Sequence, residues 1–362
     1  MKLTKHHPMK RLSFILYFLL LVVLPSVAQT EVAPFRPGIT PEGVNYFLPK
    51  TVFEVVLTAE KTVTKPGEFA DYADRYLRLS GVPTEEMVEW NLKAVSLFAY
   101  GVPDSTKAYS IKLNPKTSAP LVSLTDDGLL LGVNTEVLPE PVPDLPQQTP
   151  APKPINGRDY MTHDIISAGS TAKMAQLTAE EIYDIRDSRN ALIRGEADNM
   201  PKDGAQLKLM LENLDQQSQG LETLFKGQKL TSTEVVSFDY EPASTLEDGG
   251  TRQLLCRFSR WLGLVDSDDL SGEPIWITVK PLNTIPATQV ARKKAKMEQG
   301  LYVNQPMRVQ VVISTAKQTL FKSDFPVAQL GTVEVLSDAL FNKKMDTHVI
   351  LYQHTGSVKS LE

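Results

Sequence analysis

The chain has 362 residues, a formal net charge of −5 and one cysteine. The acidic balance argues against a nucleic-acid partner, which would need a basic surface. One cysteine excludes an intramolecular disulfide, and the length allows two or three domains.

The first 28 residues have the three-part layout of a secretory signal peptide. Four basic residues precede an apolar run from Leu12 to Leu24, and small residues end at Ala28. The apolar run is shorter than the roughly 20 residues that span a bilayer. We therefore expect cleavage after Ala28 and a mature charge of −9. No later segment has a transmembrane length, so the sequence predicts an exported protein, periplasmic or outer-membrane-associated, with no integral membrane span.

Residues 29–137 are predicted to form an N-terminal β-rich domain with one short helix. Residues 44–65 are rich in β-branched and aromatic side chains, which indicates a long, half-buried strand. Further strands are expected at 88–100 and 107–113. Asp127-Gly128 between two apolar runs predicts a tight hairpin turn.

The short helix of this domain is expected just after Pro66 and Gly67. Its apolar side chains recur at three- and four-residue spacing, which is typical of one buried helix face. They are Phe69, Tyr72, Ala73, Tyr76 and Leu77. We interpret these aromatics as core contacts rather than as a ligand platform.

Residues 138–157 are rich in proline and are predicted to form a linker or a long exposed loop. Proline removes a backbone donor and favours extended polyproline II structure. A docking site for a proline-reading domain is the alternative interpretation. The prolines are Pro139, Pro141, Pro143, Pro146, Pro150, Pro152 and Pro154.

Residues 158–230 are predicted to form an antiparallel helical hairpin. Thr178 and Glu181 match a capping box, which would begin the first helix there, and Gly195 would end it. Asp203 is expected to cap the second helix and Gly227 to end it. A short connection between two capped helices with apolar stripes favours antiparallel packing.

Three arginines of the first helix, Arg186, Arg189 and Arg194, are the candidate interaction residues. Arg189 lies on the apolar stripe with Ile182, Ile185, Leu192 and Ile193. A buried arginine needs a partner, because an unpaired buried charge costs several kcal/mol. Glu212 and Asp215 of the second helix are the candidate partners. The arginine either binds an anion or lies along the helix interface with its head group paired, and we favour the second interpretation.

In the second helix, Gly220 interrupts an otherwise regular stripe. A glycine in a helix interior costs about 1 kcal/mol relative to alanine. This residue therefore argues against a straight, uninterrupted helix.

Residues 231–362 are predicted to form a C-terminal, sandwich-like β domain of short strands separated by turns. Cys256 lies among apolar residues and is expected to be a buried small hydrophobe. The basic run 291–299 is interpreted as a solvated helix or loop. The predicted fold class is therefore α+β, with two β-rich domains and a helical hairpin between them.

The sequence contains no motif that defines an active site, a cofactor site or a metal site. Two of the three histidines left after cleavage, His348 and His354, are expected to share a strand face, which is a weak zinc signal. Residues 266–273 partly resemble a calcium loop but lack its spacing, so we interpret them as a turn. Trp90, Trp261 and Trp276 are expected in the core, with sugar stacking as the alternative.

The helical region resembles a known family. "AGSTAKMAQLTAEEIYDIRDSRNALIRGEADNMPKDG" and "FSRWLGLVDSDDLSGEPIWI" are similar to exported Bacteroidota proteins grouped as domain-of-unknown-function family 4831. The likeness extends over about residues 43–340 and includes "YFLPKT", "PGEFADYADRYL" and "DDGLLLGVN". The resemblance implies a Gram-negative envelope location and supplies no catalytic residues or cofactors.

Three functions are consistent with these observations. The first is a non-enzymatic cell-envelope protein with a structural or interaction role and envelope protein partners. The second is a glycan- or peptidoglycan-binding module. The third is a hydrolase with a dispersed acid pair, which needs two carboxylates across a cleft.

Overall fold

A computed structural model describes residues 31–37, 43–112, 121–246, 250–282, 300–337 and 347–362. The predicted signal peptide and the basic run 291–299 lie outside these ranges. Within them, no helix is both long enough and apolar enough to cross a membrane.

The described residues form antiparallel sheets and a smaller helical part, so the predicted α+β class is confirmed. The helices are α1 (Ala73–Leu77), α2 (His163–Ile166), α3 (Thr171–Arg194) and α4 (Gly204–Lys226). The strands are β1 (Glu31–Pro34), β2 (Val44–Lys65), β3 (Met87–Lys112), β4 (Val122–Leu124), β5 (Leu130–Val133), β6 (Gln228–Tyr240), β7 (Thr251–Ser259), β8 (Gly263–Val265), β9 (Glu273–Pro281), β10 (Gly300–Ser314), β11 (Thr319–Ser337), β12 (Val349–Leu351) and β13 (Val358–Leu361).

Three sheets are built from these strands. The first has the order β1-β3-β2-β6, the second β11-β10-β9-β7-β8, and the third β13-β12-β5-β4. The predicted strand 44–65 is confirmed as β2, and the turn at Asp127-Gly128 joins β4 to β5 with Gly128 at a φ of 87°. Glycine suits this turn because it adopts positive φ without a Cβ clash.

The two strands predicted at 88–100 and 107–113 form one long strand, β3, with an irregularity between them, and position 113 lies outside the described residues. Pro103 pairs with Pro49 and Ala108 with Phe47, so residues 104–107 stand opposite Leu48 alone. The buried carboxylate of Asp104 closes this excursion by accepting hydrogen bonds from the Thr106 amide (3.0 Å) and hydroxyl (2.6 Å). The prediction of two separate strands was wrong, because β2 continues past the irregularity and pairs with β3 on both sides of it.

A first core lies between the first and second sheets. Phe53, Val55 and Leu57 of β2 pack with Ile277 of β9 and Val311 of β10, all fully buried. Cys256 belongs to this core as predicted, and burial raises the pKa of its thiol to about 12. A thiol with such a pKa holds almost no thiolate at neutral pH and is a poor nucleophile.

A second core lies further along the same long strands. Tyr46 and Leu48 of β2 pack there with Val133 of β5, Val303 of β10 and Val349 of β12. β6 pairs with β2, and β12 pairs with β5. Both cores therefore contain residues from before α3 and from after α4 in the chain. The β-rich parts assigned to separate domains thus share the first and third sheets, while the second sheet is built from residues 251–337 alone.

Gln329 of β11 links β11 to the first sheet at the point where β6 ends. Its side-chain oxygen accepts from the Thr51 amide (2.9 Å), and its nitrogen donates to the carbonyls of Thr51 (2.9 Å) and Pro242 (3.0 Å). The β2–β6 register ends at the Phe53–Tyr240 pair and, if continued, would set Thr51 opposite Pro242. Since proline has no N–H, the buried Gln329 amide supplies the donor and acceptor that β6 no longer provides.

We expect Gln329→Ala to lower the free energy of unfolding by about 1–3 kcal/mol, because it leaves buried backbone groups of β2 unpaired. Denaturant unfolding of the two proteins measures this difference. Gln318→Ala, in an exposed turn, is the matched control and should change stability by no more than about 0.5 kcal/mol. Equal losses in both variants would contradict the role of Gln329.

Candidate functional site

Helices α3 and α4, joined by residues 195–203, form what we call the helical arm (residues 171–226). The predicted capping box at Thr178 and Glu181 was wrong, because α3 begins eight residues earlier than that cap implies. Ser170 caps it, with its hydroxyl oxygen accepting from the Lys173 amide at 3.2 Å. Thr178 is fully buried inside the helix and donates its hydroxyl to the Met174 carbonyl at 2.8 Å.

The other predicted helix ends are confirmed. Gly195 ends α3 in the left-handed conformation, with a φ of 76°. The Asp203 carboxylate caps α4 by accepting from the Gln206 amide at 2.8 Å, and Gly227 follows the last helical residue. These local signals fix the lengths of both helices.

The base of the arm is its packed half. Ile182 of α3 and Leu221 and Phe225 of α4 pack with Phe69 and Leu77 from the segment around α1. The Phe69 and Phe225 rings lie 5.5 Å apart. The predicted aromatic face of the short helix is therefore a core contact for the arm.

Gly220 does not interrupt α4, which is continuous from Gly204 to Lys226. The residue is buried, and a Cβ atom built there would collide with the ring of Tyr160. The missing side chain lets the Tyr160 ring lie directly against the helix backbone. The close contact with Tyr160 at the base of the arm thus explains why a glycine, a poor helix former, stands at position 220.

Two of the three candidate arginines join the helices of the arm. The Arg189 Nε atom lies 2.6 Å from Asp215 Oδ1, which is one of its two predicted partners. The Arg186 Nη2 atom lies 2.7 Å from Glu222 Oε1. Because these partners run in opposite order along the chain, α3 and α4 are antiparallel. Arg194 lies in the last turn of α3, where a positive charge favours the helix dipole.

The electrostatic contributions of these pairs differ. Both side chains of the Arg189–Asp215 pair are more than a third exposed, so the pair contributes at most about 1 kcal/mol. The Glu222 side chain is only 17% exposed and is shared with Lys226. Desolvation raises the pKa of Glu222, but hydrogen bonds from Lys226 and Arg186 outweigh it and leave that pKa below its ordinary value. Glu222 is thus the anionic centre of the interface between the helices.

The distal half of the arm carries a groove of about 590 Å³ that is lined by both apolar and polar residues. Its apolar lining residues are Ala191, Leu192, Ala197, Met210 and Leu214, and its polar lining residues are Ser188, Glu196, Asp198, Asn199 and Asn213. Met210 is 39% exposed, and three large apolar residues that follow or precede lining residues in the chain are also exposed: Ile193 54%, Met200 44% and Leu209 59%. Ile193 was predicted on the buried stripe, and this was wrong because no described element covers its side of α3.

A second concave site lies beside the proline-rich segment, which we call the strap (residues 138–155). The strap is exposed and runs along β6. It is held by Thr149, which exchanges hydrogen bonds with Thr233 (2.8 and 2.9 Å), and by Ile155, which pairs with the Gln228 side chain (2.8 and 2.6 Å). At its other end the Glu140 amide donates to Gln353 Oε1 at 2.8 Å.

Between Glu140 and β3 the strap encloses the strap pocket, a cavity of about 350 Å³. Its walls come from β2, β3, the first strap residues and the turn after β12. They comprise Glu54, Phe98, Ala99, Tyr100, Gly101, Glu140, Pro141, Val142, Pro143, Gln353 and His354.

The two C-terminal histidines do not share a strand face as predicted. His348 precedes β12 and its Nδ1 atom lies 2.6 Å from the Asn134 carbonyl oxygen. His354 lies in the turn after β12, 4.0 Å from Glu140 Oε2. No group of three or more metal-ligating residues is found in the described ranges.

The tryptophans are not core residues as expected. Trp261 is 58% exposed in the turn between β7 and β8. Trp90 and Trp276 are partly buried. The Lys61 Nζ atom lies 5.5 Å from the centre of the Trp90 ring, and the Arg252 Cζ atom lies 4.4 Å from the centre of the Trp276 ring. Residues 266–273 form a turn into β9, as predicted, and Arg257 donates to two of its carbonyls.

The structure thus defines an α+β protein whose antiparallel sheets carry a helical arm. The chain belongs to the family described as Domain of unknown function (DUF4831), whose model matches residues 42–359. No curated protein and no solved structure matches the chain.

We expect Gly220→Ala to destabilise the protein, although alanine is the better helix former by about 1 kcal/mol. The added methyl group must displace the Tyr160 ring, and such overpacking costs about 1–3 kcal/mol. Thermal unfolding measures the loss. Gly204→Ala, at the first position of the same helix with open space around it, is the control and should be neutral or stabilising. A stabilised Gly220→Ala variant would show that the ring contact is unimportant.

Proposed function

We propose that this protein is an exported cell-envelope protein that acts without catalysis and binds a protein partner through its helical arm. The single observation that carries the proposal is the groove in the distal half of the arm, together with the exposed apolar side chains of that half. Met210 in the groove and its chain neighbour Leu209, with Ile193 and Met200 next to lining residues in the chain, are more than a third exposed. Exposed large apolar side chains are a feature of protein-interaction sites.

The architecture of the arm supports this proposal. With 24 residues, α3 extends for about 36 Å, and its described packing contacts beyond α4 lie at the base. The Arg186–Glu222 and Arg189–Asp215 pairs hold the helices together without filling the distal groove. A groove between two helices fits the apolar face of a third helix, which would complete a three-helix bundle.

The envelope location rests on the sequence. The first 28 residues match a secretory leader, and the family resemblance implies export in a Bacteroidota cell. We propose a sandwich-like body and a helical hairpin that presents its groove to an envelope protein.

Site-specific photo-cross-linking in intact cells tests the arm. A photoreactive residue at Met210, in the groove, should capture a defined partner that mass spectrometry identifies. The control is the same residue at Lys208, which is exposed on the same helix but does not line the groove. Capture at both positions alike, or at neither, would overturn the proposal.

Glycan binding is the second candidate, and one observation favours it. Trp261 presents its ring to solvent beside Leu262, with the Arg260 guanidinium 5.4 Å from the ring centre. An exposed indole can stack on a sugar ring. The hydrolase alternative stays a prediction.

If this second function holds, purified peptidoglycan should sediment the protein, and Trp261→Ala should abolish the effect. Leu262→Ala is the control in the same turn and should keep binding. Retention of the Trp261→Ala variant in the pellet would remove this candidate.

A further inference from the structure

The strap pocket has the composition of a site for a positively charged group. We propose that it binds a small organic cation, an ammonium or guanidinium group carried on a short apolar stem. Its volume of about 350 Å³ falls within the range of small-molecule sites, roughly 300–1,000 Å³. This proposal does not rest on the function of the arm.

The charges that line the pocket are negative. Glu54 and Glu140 contribute carboxylates, and neither lysine nor arginine is among the lining residues. Glu54 has no ion pair with any residue in the described ranges. The lysine closest in sequence, Lys50, is bound to Glu241 at 3.0 Å. A cation entering the pocket would therefore meet two carboxylates without a competing positive charge.

A third carboxylate lies next to the aromatic wall. Asp239 of β6 pairs with Glu54 of β2 in the strand register, and its charge acts on the Tyr100 hydroxyl. Burial and the nearby Asp239 and Glu54 carboxylates raise the pKa of Tyr100 to about 12. Tyr100 therefore stays neutral and presents a ring, while Asp239 strengthens the negative potential beside the pocket.

The remaining walls suit an apolar stem and the face of a cation. Phe98 and Tyr100 supply aromatic rings, and Pro141 and Pro143 supply apolar surface from the strap. Cations bind favourably over aromatic faces, by about 0.5–2 kcal/mol. Burial lowers the pKa of His354, only partly offset by Glu140, so its imidazole is neutral at neutral pH and does not repel a cation.

The backbone holds these walls in place independently of any ligand. Gly101 allows the turn at Gln353 to approach, because a Cβ atom there would collide with the Gln353 carbonyl oxygen. Gln353 in turn accepts from the Glu140 amide. Thr51 donates to the His354 carbonyl at 2.8 Å. The pocket is thus preformed, which reduces the cost of binding.

Isothermal titration calorimetry on the mature chain at neutral pH tests the proposal. The probes are agmatine and 1,5-diaminopentane, compared with neutral 1-pentanol and anionic glutarate. The two cations should bind, and the neutral and anionic compounds should not. Glu54→Gln and Glu140→Gln should each weaken cation binding about tenfold, since each removes a charge at conserved side-chain volume.

Glu60→Gln is the matched control, because Glu60 is on β2, at the same side-chain parity as Glu54, but is paired with Lys93 at 2.7 Å outside the pocket. It should bind the cations as the unchanged protein does. Thermal unfolding of each variant separates a lost site from a lost fold. The proposal is overturned if neither cation binds, if glutarate binds as well, or if correctly folded Glu54→Gln and Glu140→Gln variants bind unchanged.

Discussion

The hydrogen-bonded junction between Gln329 and Thr51 is the constraint on which the arrangement of the sheets depends. The long strands β2 and β3 run through both cores, and β6 leaves β2 midway. A departing strand would leave buried backbone groups without partners, which costs about 1–3 kcal/mol each. A side-chain amide from another sheet takes the place of that strand. Asn304 acts similarly nearby, with its amide donating to the carbonyls of Pro49 (3.0 Å) and Thr355 (2.9 Å).

The two concave sites relate to this junction in different ways. Thr51 also binds the His354 carbonyl, so one wall of the strap pocket is fixed by the same residue that joins the sheets. The distal arm is remote from these contacts and depends on its own ion pairs and on the base. A rigid pocket in the body and a groove on an extended arm suit two different kinds of ligand, a small molecule and a protein segment.

Local signals in the sequence predicted local structure well. The β-branched run 44–65 became β2, and Asp203 and Gly227 marked the ends of α4. The capping motif at Thr178 was misleading because a threonine inside a helix can bond its own backbone four residues back, as Thr178 does. A sequence spacing alone does not distinguish that bond from a cap.

The pairing of strands that are distant in the chain could not be predicted from a single sequence. The pairing of β2 with β6 joins residues separated by the whole helical region, and no local preference encodes such a partner. The strap pocket was missed for the same reason, since Glu54, Tyr100, Glu140 and His354 lie far apart in the chain. A charged residue at Glu54 within the otherwise apolar run 52–57 of β2 was the available signal. Arg189 was different, because helical spacing alone limited its partners to two residues.

The position of the strap has a consequence for assembly. β6 is the outer strand of the first sheet, and an open strand edge can template the addition of another chain. The strap covers part of this edge with a segment that contains seven prolines. Each of those residues lacks the N–H that a further strand would need. Where the strap runs beside β6, another strand cannot readily be added to this edge of the sheet, which opposes edge-to-edge pairing there.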